Sequence, residues 1–526
     1  MNTENTVLNA RDRRTALWFL WALVPGLFAW RLSASWWSGA GLFVDEAQYW
    51  DWSRDLAWGY FSKPPVLPAL IRLSTLLAGD GIAGVRSLVV FLWTLTPVVL
   101  WRLVWDMFRD QAPHVPVRTR LLVGAWAAAL ASAMLVFALI GQVATTDGPL
   151  LFFWALLMWF FWRAMQTPQR LWPWVLWGIL LALALLSKYT ACVAVVSALW
   201  LAFKQRHASI WQGLALAFMV CGVLLIPHAM WNQTHGWPTL RHTAELLAGS
   251  DSAEHAGAVF SALKYTASQW VLVGPVVFLT GVFGFIRWRQ KAPKRTDETR
   301  PKTGGVPLME WAWTWTWPIW LLGLMQSLQG KAEMNWPAPA VLGFALMLAL
   351  MLALMLALWQ GLTTLSWRGP WLVLILGAMV GATVSLGGDW RQHLDAKSQG
   401  TRWDLWARAR GWDAALQSMA PHLAQFPESK IVASERALIA HAAYAWREQG
   451  RRPQAWPTQA LPKHHYEMSD PFDPHSAKGK GLPVLLITTQ PNPWTAQWLE
   501  LFPHRQWLHS HTEAGRTLDL WRLDTP

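Results

Sequence analysis

The sequence places a few charged side chains at the edges of long apolar stretches, where withdrawing a charge from water is costly. Three of them are carboxylates, which can accept a proton from a hydroxyl group. The other three are lysines, which can neutralise an oxyanion. Together they predict a site that binds an anionic substrate and moves a proton, formed by Asp45, Glu46, Asp147, Lys63, Lys188 and Lys331.

The segment after the first apolar stretch carries two of these acids among aromatic residues. It reads FVDEAQYWDW over residues 43–52 and GYFSKPP over residues 59–65. A helix here would place Asp45, Tyr49 and Trp52 on one face, with Glu46 about 100° away. The alternative is an amphipathic helix at the membrane surface with both acids in water.

The other charged residues each have an ordinary explanation when taken singly. Asp147, in the sequence TDGP, could cap a helix. Lys188, in LSKYT, and Lys331, in GKAEMNWPAP, could extend their amines to the interface. Arg86 could do the same, or it could contact a substrate phosphate. Their concentration on one side of the predicted membrane region favours a shared site.

Composition determines what kind of protein must position these residues. The chain has 526 residues, of which 54% are hydrophobic, 14% are charged and 43 are tryptophan, and its mean hydropathy is +0.22. An ordinary soluble domain carries about 25% charged residues. The chain is therefore predicted to be a polytopic membrane protein. Its net charge of +13 lies mostly in short loops before residue 389, as membrane topology requires, so no nucleic-acid partner is expected.

About eleven membrane-spanning helices are expected from the apolar stretches. Lys and Arg are enriched in alternate loops, which predicts a cytoplasmic N-terminus and a periplasmic C-terminal region. The predicted spans are 15–32, 85–106, 121–140, 148–166, 172–187, 190–203, 210–229, 267–286, 311–328, 339–359 and 371–387.

The composition becomes that of a soluble protein from Asp389 onward. We therefore expect a transmembrane domain over residues 1–388 and a small extracytoplasmic α/β domain over residues 389–526. In the latter, the patterns predict strands at 430–434, 484–489 and 517–523, and helices at 437–448 and 494–502. His441 and His475 are expected at the surface.

Five motifs, taken together, resemble the integral-membrane GT-C glycosyltransferases, and more narrowly family 39 with its bacterial protein-mannosyltransferase-like relatives. These relatives include the aminoarabinose transferase of lipid A and the galacturonosyltransferases of lipopolysaccharide core. The motifs are DEAQYW, GYFSKPP, TDGP, LSKYT and GKAEMNWPAP, which lie between residues 45 and 339. The resemblance implies a helical bundle in a bacterial cytoplasmic (inner) membrane. It also implies a donor sugar carried on polyprenyl phosphate.

The resemblance also implies roles for individual residues. Asp45 corresponds to the general base, Glu46 to the acid beside it and Asp147 to a second acid of the cavity. Lys63 corresponds to the lysine that contacts the carrier phosphate. The remaining donor-binding candidates are Lys188, Lys331, Tyr49, Tyr60, Arg86, Tyr189 and Asn335.

The chemistry expected from these residues is direct displacement with inversion, which requires no cofactor or metal. The expected partners are the lipid-linked donor, membrane lipids and an envelope acceptor that could be a glycan, a lipid or a protein. Asn335-Trp336-Pro337 differs from the corresponding stretch of the aminoarabinose branch, which argues against modification of lipid A. The alternative function is a transporter or flippase for a lipid-linked sugar.

Overall fold

The structure is a computed structural model of the full chain. It describes residues 9–37, 39–248, 257–274, 286, 306–329, 335–360, 366–394, 406–457, 461–474, 483–489, 501–502 and 504–524.

The chain divides into two compact units, which we call the helical unit and the mixed unit. The helical unit comprises Met1–Leu32, Pro64–Leu67 and Ser87–Thr383. The mixed unit comprises Ser33–Lys63, Pro68–Arg86 and Val384–Pro526. The mixed unit thus includes two segments from the first hundred residues, whereas the sequence predicted a single boundary at residue 388.

Helices are the main secondary structure of the described residues. The first helix is capped by Asn9, whose side chain accepts a hydrogen bond of 2.7 Å from the backbone N–H of Asp12. The principal helices are Ala10–Trp21, Leu27–Trp37, Val44–Trp52, Val66–Ala78, Ile82–Gln111, Val117–Ala133, Leu135–Leu139, Asp147–Gln166, Leu171–Leu185, Val193–Gln205, Ala208–Thr234, Pro238–Ala248, Ala258–Val273, Leu308–Thr314, Trp317–Leu328, Ala340–Gln360, Arg368–Leu394, Trp412–Ala424, Arg436–Ala445 and His465–Ser469.

Four of the described helices are long and apolar enough to cross a membrane, namely Ala10–Ser33, Ile82–Gln111, Asp147–Gln166 and Ala208–Thr234. Several shorter apolar helices accompany them. The count of eleven spans stays a prediction, and residues 275–285 of the predicted span 267–286 lie outside the described residues.

Two of the predicted spans are not continuous helices. The stretch 121–140 bends by 63° after Val117–Ala133, where Met134 adopts an extended backbone. The stretch 311–328 divides into Leu308–Thr314 and Trp317–Leu328. The bend contains neither proline nor glycine, so hydropathy and helix-breaking residues could not locate it.

Tryptophan side chains fill much of the interior of the helical unit. The ring centroid of Phe161 lies 5.7 Å from that of Trp174 and 5.4 Å from that of Trp177. These contacts are within the range of favourable aromatic pairs. Many of the tryptophans that dominate the composition are therefore core residues, and the fully buried ones include Trp93, Trp154, Trp162, Trp174, Trp177, Trp311 and Trp315.

Two glycines allow the helix Ala208–Thr234 and its neighbour Leu171–Leu185 to approach closely. A Cβ atom on Gly213 would lie 2.2 Å from Cε2 of Trp174, and one on Gly178 would lie 2.4 Å from the carbonyl oxygen of Ala217. Small residues at such contacts are typical of helix pairs in membranes.

We expect Gly213→Ala to lower the free energy of unfolding by about 1–3 kcal/mol, because the added methyl group overpacks the contact with Trp174. Gly222→Ala, in the same helix, is the matched control, since no atom lies within 4 Å of its Cβ position. Thermal unfolding in detergent would measure both. Equal melting temperatures for the two variants would contradict the close approach.

The mixed unit contains a five-stranded sheet. The strands are β1 Lys430–Ala433, β2 Gln454–Ala455, β3 Val484–Thr489, β4 His504–Glu513 and β5 Arg516–Asp524. Their order in the sheet is β2-β1-β3-β5-β4. The strands β2, β1 and β3 are parallel to one another, whereas β5 is antiparallel to both β3 and β4. The β4–β5 hairpin turns at Ala514 and Gly515, which both have positive φ, as tight hairpins require.

Three strands and one helix of the sheet region form where the sequence patterns predict them. The helix Arg436–Ala445 ends three residues early, where a short 3₁₀ turn follows. Most of the predicted helix 494–502 lies outside the described residues. A separate extracytoplasmic domain over residues 389–526 stays a prediction.

His441 is not at the surface, contrary to expectation, whereas His475 lies outside the described residues. The ring of His441 stacks on Trp412 with centroids 4.2 Å apart, and its Nε2 atom has no hydrogen-bond partner among the described residues. Burial lowers the pKa of His441 from 6.5 to about 3, and the nearby charge of Arg516 acts in the same direction.

We expect the stability of the mixed unit to fall as the pH falls from about 6.5 to about 3. The unfolded chain binds a proton at residue 441 in this window, whereas the folded state does not, so protonation favours unfolding. His441→Phe retains a ring on Trp412 and should flatten this part of the profile. Unfolding temperatures of both proteins across this range would test it, and parallel profiles would contradict it.

Candidate active site

The helix Val44–Trp52 of the mixed unit positions three carboxylates. The side chain of Glu46 accepts a hydrogen bond of 3.0 Å from the backbone N–H of Phe43, which stabilises the helix N-terminus. Acids in the first turn also interact favourably with the helix dipole. The residues from Glu46 to Trp52 are all buried. This helix is therefore not the amphipathic surface helix that the sequence left as an alternative.

Glu46 and Arg86 form a buried ion pair. The Nε and Nη2 atoms of Arg86 donate to the two carboxylate oxygens of Glu46 at 2.7 and 2.6 Å. Nη2 also donates to the carbonyl oxygen of Gly41 at 3.0 Å. Arg86 is fully buried, so its guanidinium group does not extend to a membrane–water interface. Both side chains are buried in this ion pair, and the catalytic role of Glu46 and the donor contact of Arg86 stay predictions.

Asp45 is the exposed carboxylate of this helix. Its Oδ1 atom accepts a hydrogen bond of 2.8 Å from Nη1 of Arg436, which also donates to Oε1 of Gln48 at 2.5 Å. More than half of the Asp45 side chain is accessible. One carboxylate oxygen is thus fixed, while Oδ2 has no hydrogen-bond partner among the described residues. Such a carboxylate can accept a proton from a bound hydroxyl group.

Arg436 could not be identified from the sequence, because it lies 391 positions after Asp45. The same holds for Arg452, whose Nη2 lies 3.2 Å from Oδ2 of the third acid, Asp51. Burial raises the pKa of Asp51, and the charge of Arg452 opposes that rise. Each acid of the helix therefore faces an arginine that is distant in sequence.

Tyr49 and Tyr60 stabilise the loop of residues 53–65, which follows the helix Val44–Trp52. Tyr49 packs on Trp52 at 5.5 Å, and the ring of Tyr60 stacks on Trp52 at 4.5 Å with an angle of 2°. The Tyr60 hydroxyl donates to the carbonyl oxygen of Trp52 at 3.1 Å, and burial raises its pKa to about 12. His465 packs on the outer edge of this stack. Both predicted donor-binding tyrosines are therefore buried in protein contacts.

Lys63 closes the same loop through its backbone. Its carbonyl oxygen accepts a hydrogen bond of 3.1 Å from the N–H of Tyr60, and the side chain is half-buried. Its contact with a carrier phosphate stays a prediction.

The helical unit brings three predicted residues together. Nζ of Lys188 lies 2.7 Å from Oδ1 of Asp147, and Nδ2 of Asn335 donates to Oδ2 at 2.7 Å. Asp147 is almost fully buried, whereas Lys188 retains some accessibility. Both oxygens of Asp147 therefore have a partner, and the carboxylate fixes the position of the Lys188 amine. Lys331, from the same motif as Asn335, lies outside the described residues.

Tyr189 begins a chain of polar contacts with two residues that were not among the predicted site residues. Its hydroxyl lies 2.8 Å from Nε2 of His228, which lies 3.2 Å from Nδ2 of Asn232. Both new residues interrupt the apolar helix Ala208–Thr234. Polar residues inside an apolar helix were the signal that could have identified them.

We expect removal of either partner of the Glu46–Arg86 pair to destabilise the protein by about 3–5 kcal/mol, since the other charge stays buried and unpaired. Glu46→Leu and Arg86→Met are the single variants, and their combination removes both charges. The double variant should be more stable than either single variant. Thermal unfolding of the set would test this, and simple addition of the two losses would contradict it.

Comparison with known proteins places these features in a wider context. The family model for dolichyl-phosphate-mannose-protein mannosyltransferases matches residues 62–231. The chain is 26% identical to the lipid A galacturonosyltransferase RgtD of Rhizobium johnstonii. The alignment extends over 509 residues and covers 95% of this chain and 97% of that protein.

Two solved structures share the fold. ArnT from Cupriavidus metallidurans bound to undecaprenyl phosphate matches with a TM-score of 0.56 at 15% identity, covering 97% of each chain. Its apo structure matches with the same score and identity, covering 91% of this chain and 93% of that one. The resemblance to GT-C membrane glycosyltransferases predicted from the motifs is confirmed.

Proposed function

We propose that this GT-C glycosyltransferase moves a monosaccharide from a polyprenyl-phosphate carrier to an acceptor outside the cytoplasmic membrane. The relative that spans nearly its whole length is a lipid A galacturonosyltransferase, and a protein of the same fold binds undecaprenyl phosphate. The observation that carries the proposal is the accessible Asp45 carboxylate, with one oxygen held by Arg436 and the other open.

Asp45 is the general base in this proposal. The acceptor hydroxyl oxygen attacks the anomeric carbon of the donor sugar and loses its proton to Oδ2 of Asp45. The bond from the anomeric carbon to the phosphate oxygen breaks, and polyprenyl phosphate departs with the electron pair. Attack opposite the leaving group inverts the anomeric configuration. A positioned base typically contributes about 10²–10⁴-fold to such a step.

Lysines stabilise the charge that develops on the departing phosphate. Lys188 is the best supported, because Asp147, which is itself held by Asn335, fixes its position while part of the side chain stays accessible. An oriented ammonium group in a site shielded from water stabilises an oxyanion more strongly than water does. Lys63 and Lys331 are assigned to the carrier phosphate and the donor by resemblance.

An envelope glycolipid is the acceptor to test first. The motif at Asn335-Trp336-Pro337 argued against lipid A modification, because it differs from the aminoarabinose branch. The full-length relative, however, acts on lipid A with a different sugar. The motif therefore distinguishes the aminoarabinose branch without excluding the acceptor. The C-terminal region would lie in the periplasm, where such an acceptor is accessible.

We expect Asp45→Asn to lower kcat by about 10²–10⁴-fold with little change in KM, because the amide cannot accept the proton. Asp80→Asn is the matched control. Asp80 is also a partly exposed acid of the mixed unit, held by Arg54 at 2.9 Å as Asp45 is held by Arg436 at 2.8 Å. Its activity should stay near that of the wild type.

The assay uses the full-length protein in detergent with polyprenyl phosphates that each carry one radiolabelled sugar. Release of free polyprenyl phosphate and transfer of the label into an envelope extract are the two readouts. Transfer from one donor that depends on Asp45 supports the proposal. Folded protein that releases no carrier from any donor overturns it, and movement of the lipid-linked sugar across vesicles would then be measured.

A further inference from the structure

Arg31 is a buried arginine that has no anionic partner in the described part of the chain. It lies in the helix Leu27–Trp37, within the apolar segment Ala10–Ser33, and only 3% of the residue is exposed. Its Nη1 atom is buried and has no hydrogen-bond partner within the described ranges. Among the residues that the structure describes, no carboxylate lies within salt-bridge distance of Arg31. This differs from Arg86, whose burial is compensated by Glu46.

The side chain stands against the segment that leads to Asp147. A Cβ atom on Gly141 would lie 3.5 Å from Cζ of Arg31 and 3.5 Å from Cδ2 of Trp93. A Cβ atom on Gly148 would lie 2.9 Å from Nε1 of Trp93. Arg31 and Trp93 therefore both lie against the short segment 141–148. The absence of a side chain at Gly148 leaves room for Trp93, whereas a methyl group at Gly141 would make ordinary van der Waals contacts.

Three buried hydrogen-bond donors at this segment have no acceptor among the residues that the structure describes. They are Nε1 of Trp93, Nη1 of Arg31 and, within the segment, Oγ1 of Thr145. Asp147 is not their acceptor: it bonds Lys188 and Asn335 and makes no hydrogen bond to any of these three atoms.

A buried guanidinium group without a counter-charge is strongly unfavourable, so such residues are retained where an anion completes the site. In membrane-embedded segments, an ionisable residue of this kind marks a ligand or transport pathway. The guanidinium fork matches the two oxygens of a carboxylate or a phosphate. The indole N–H and the threonine hydroxyl supply further donors to the same kind of group.

We propose that Arg31, assisted by Trp93 and Thr145, binds an oxyanion of the lipid-linked donor. This inference rests on the proposed function. The oxyanion is either the phosphate of the carrier or the carboxylate of an acidic sugar, which present the same chemistry to the guanidinium group.

The test compares Arg31→Gln and Arg31→Lys with the wild type in the full-length protein. Arg102→Gln is the matched control, since it replaces a half-exposed arginine of the same unit that pairs with Asp106 on its own helix. Three probes are titrated: undecaprenyl phosphate, undecaprenyl phosphate carrying galactose, and undecaprenyl phosphate carrying galacturonic acid. Affinity and the shift of the melting temperature on binding are measured.

We expect Arg31→Gln to melt, without ligand, at or above the wild-type temperature, because an unpaired buried charge is removed. A purely structural arginine would give the opposite result. The affinity of Arg31→Gln for each probe that carries the bound oxyanion should fall about 10- to 100-fold, as expected for loss of a charge-assisted hydrogen bond. Arg31→Lys should be intermediate, and Arg102→Gln should bind like the wild type.

The three probes distinguish the two sources of the oxyanion. Loss of affinity for all three, including the sugar-free carrier, assigns the phosphate to Arg31. Loss confined to the galacturonic acid probe assigns the carboxylate. If Arg31→Gln binds all three probes as the wild type does, this inference is overturned while the proposed function stands. A wild-type protein that binds none of them overturns both.

Discussion

The pairing of charges that are withdrawn from water is the constraint on which the rest of this structure depends. In the mixed unit, the three acids of Val44–Trp52 each face an arginine, and in the helical unit Asp147 faces Lys188 and Asn335. Withdrawing a charge from water without such a partner is costly. The pairs differ in accessibility, and that difference separates their functions. Glu46 and Arg86 are sealed, whereas Asp45 keeps an oxygen open.

This difference gives neighbouring acids different chemistry. Asp45 and Glu46 are adjacent in sequence, and the side chains of adjacent residues in an α-helix point about 100° apart. One is directed to an accessible surface and the other into the protein, where Arg86 bonds both of its oxygens. Two carboxylates in a row therefore provide one candidate base and one structural ion pair. Which acid serves which purpose depends on the arginines that meet them.

Aromatic packing stabilises the helical unit, whereas paired charges stabilise the helix Val44–Trp52 of the mixed unit. Tryptophans pack between helices, and glycines at the contacts let the backbones approach. In a lipid environment, such close packing replaces much of the driving force that water supplies to soluble cores. It also holds the short connections around residues 141–148 and 186–192, where the polar residues of the proposed donor site lie.

The sequence by itself determined the class of membrane protein, the motifs of the GT-C resemblance, and the strands predicted at 430–434, 484–489 and 517–523, which agree with the observed strands to within one residue at each end. These features depend on local composition and periodicity, which can be recognised from residues that are close together in the sequence. The tertiary structure alone decided that Asp147, Lys188 and Asn335 meet and that His441 is buried. It also decided that Tyr49 and Tyr60 pack inside the loop. The partners Arg436, Arg452 and His228, and the isolation of Arg31, belong to the same group. Contacts between residues far apart in the chain depend on how the elements pack, and neither hydropathy nor spacing along the sequence encodes that packing directly.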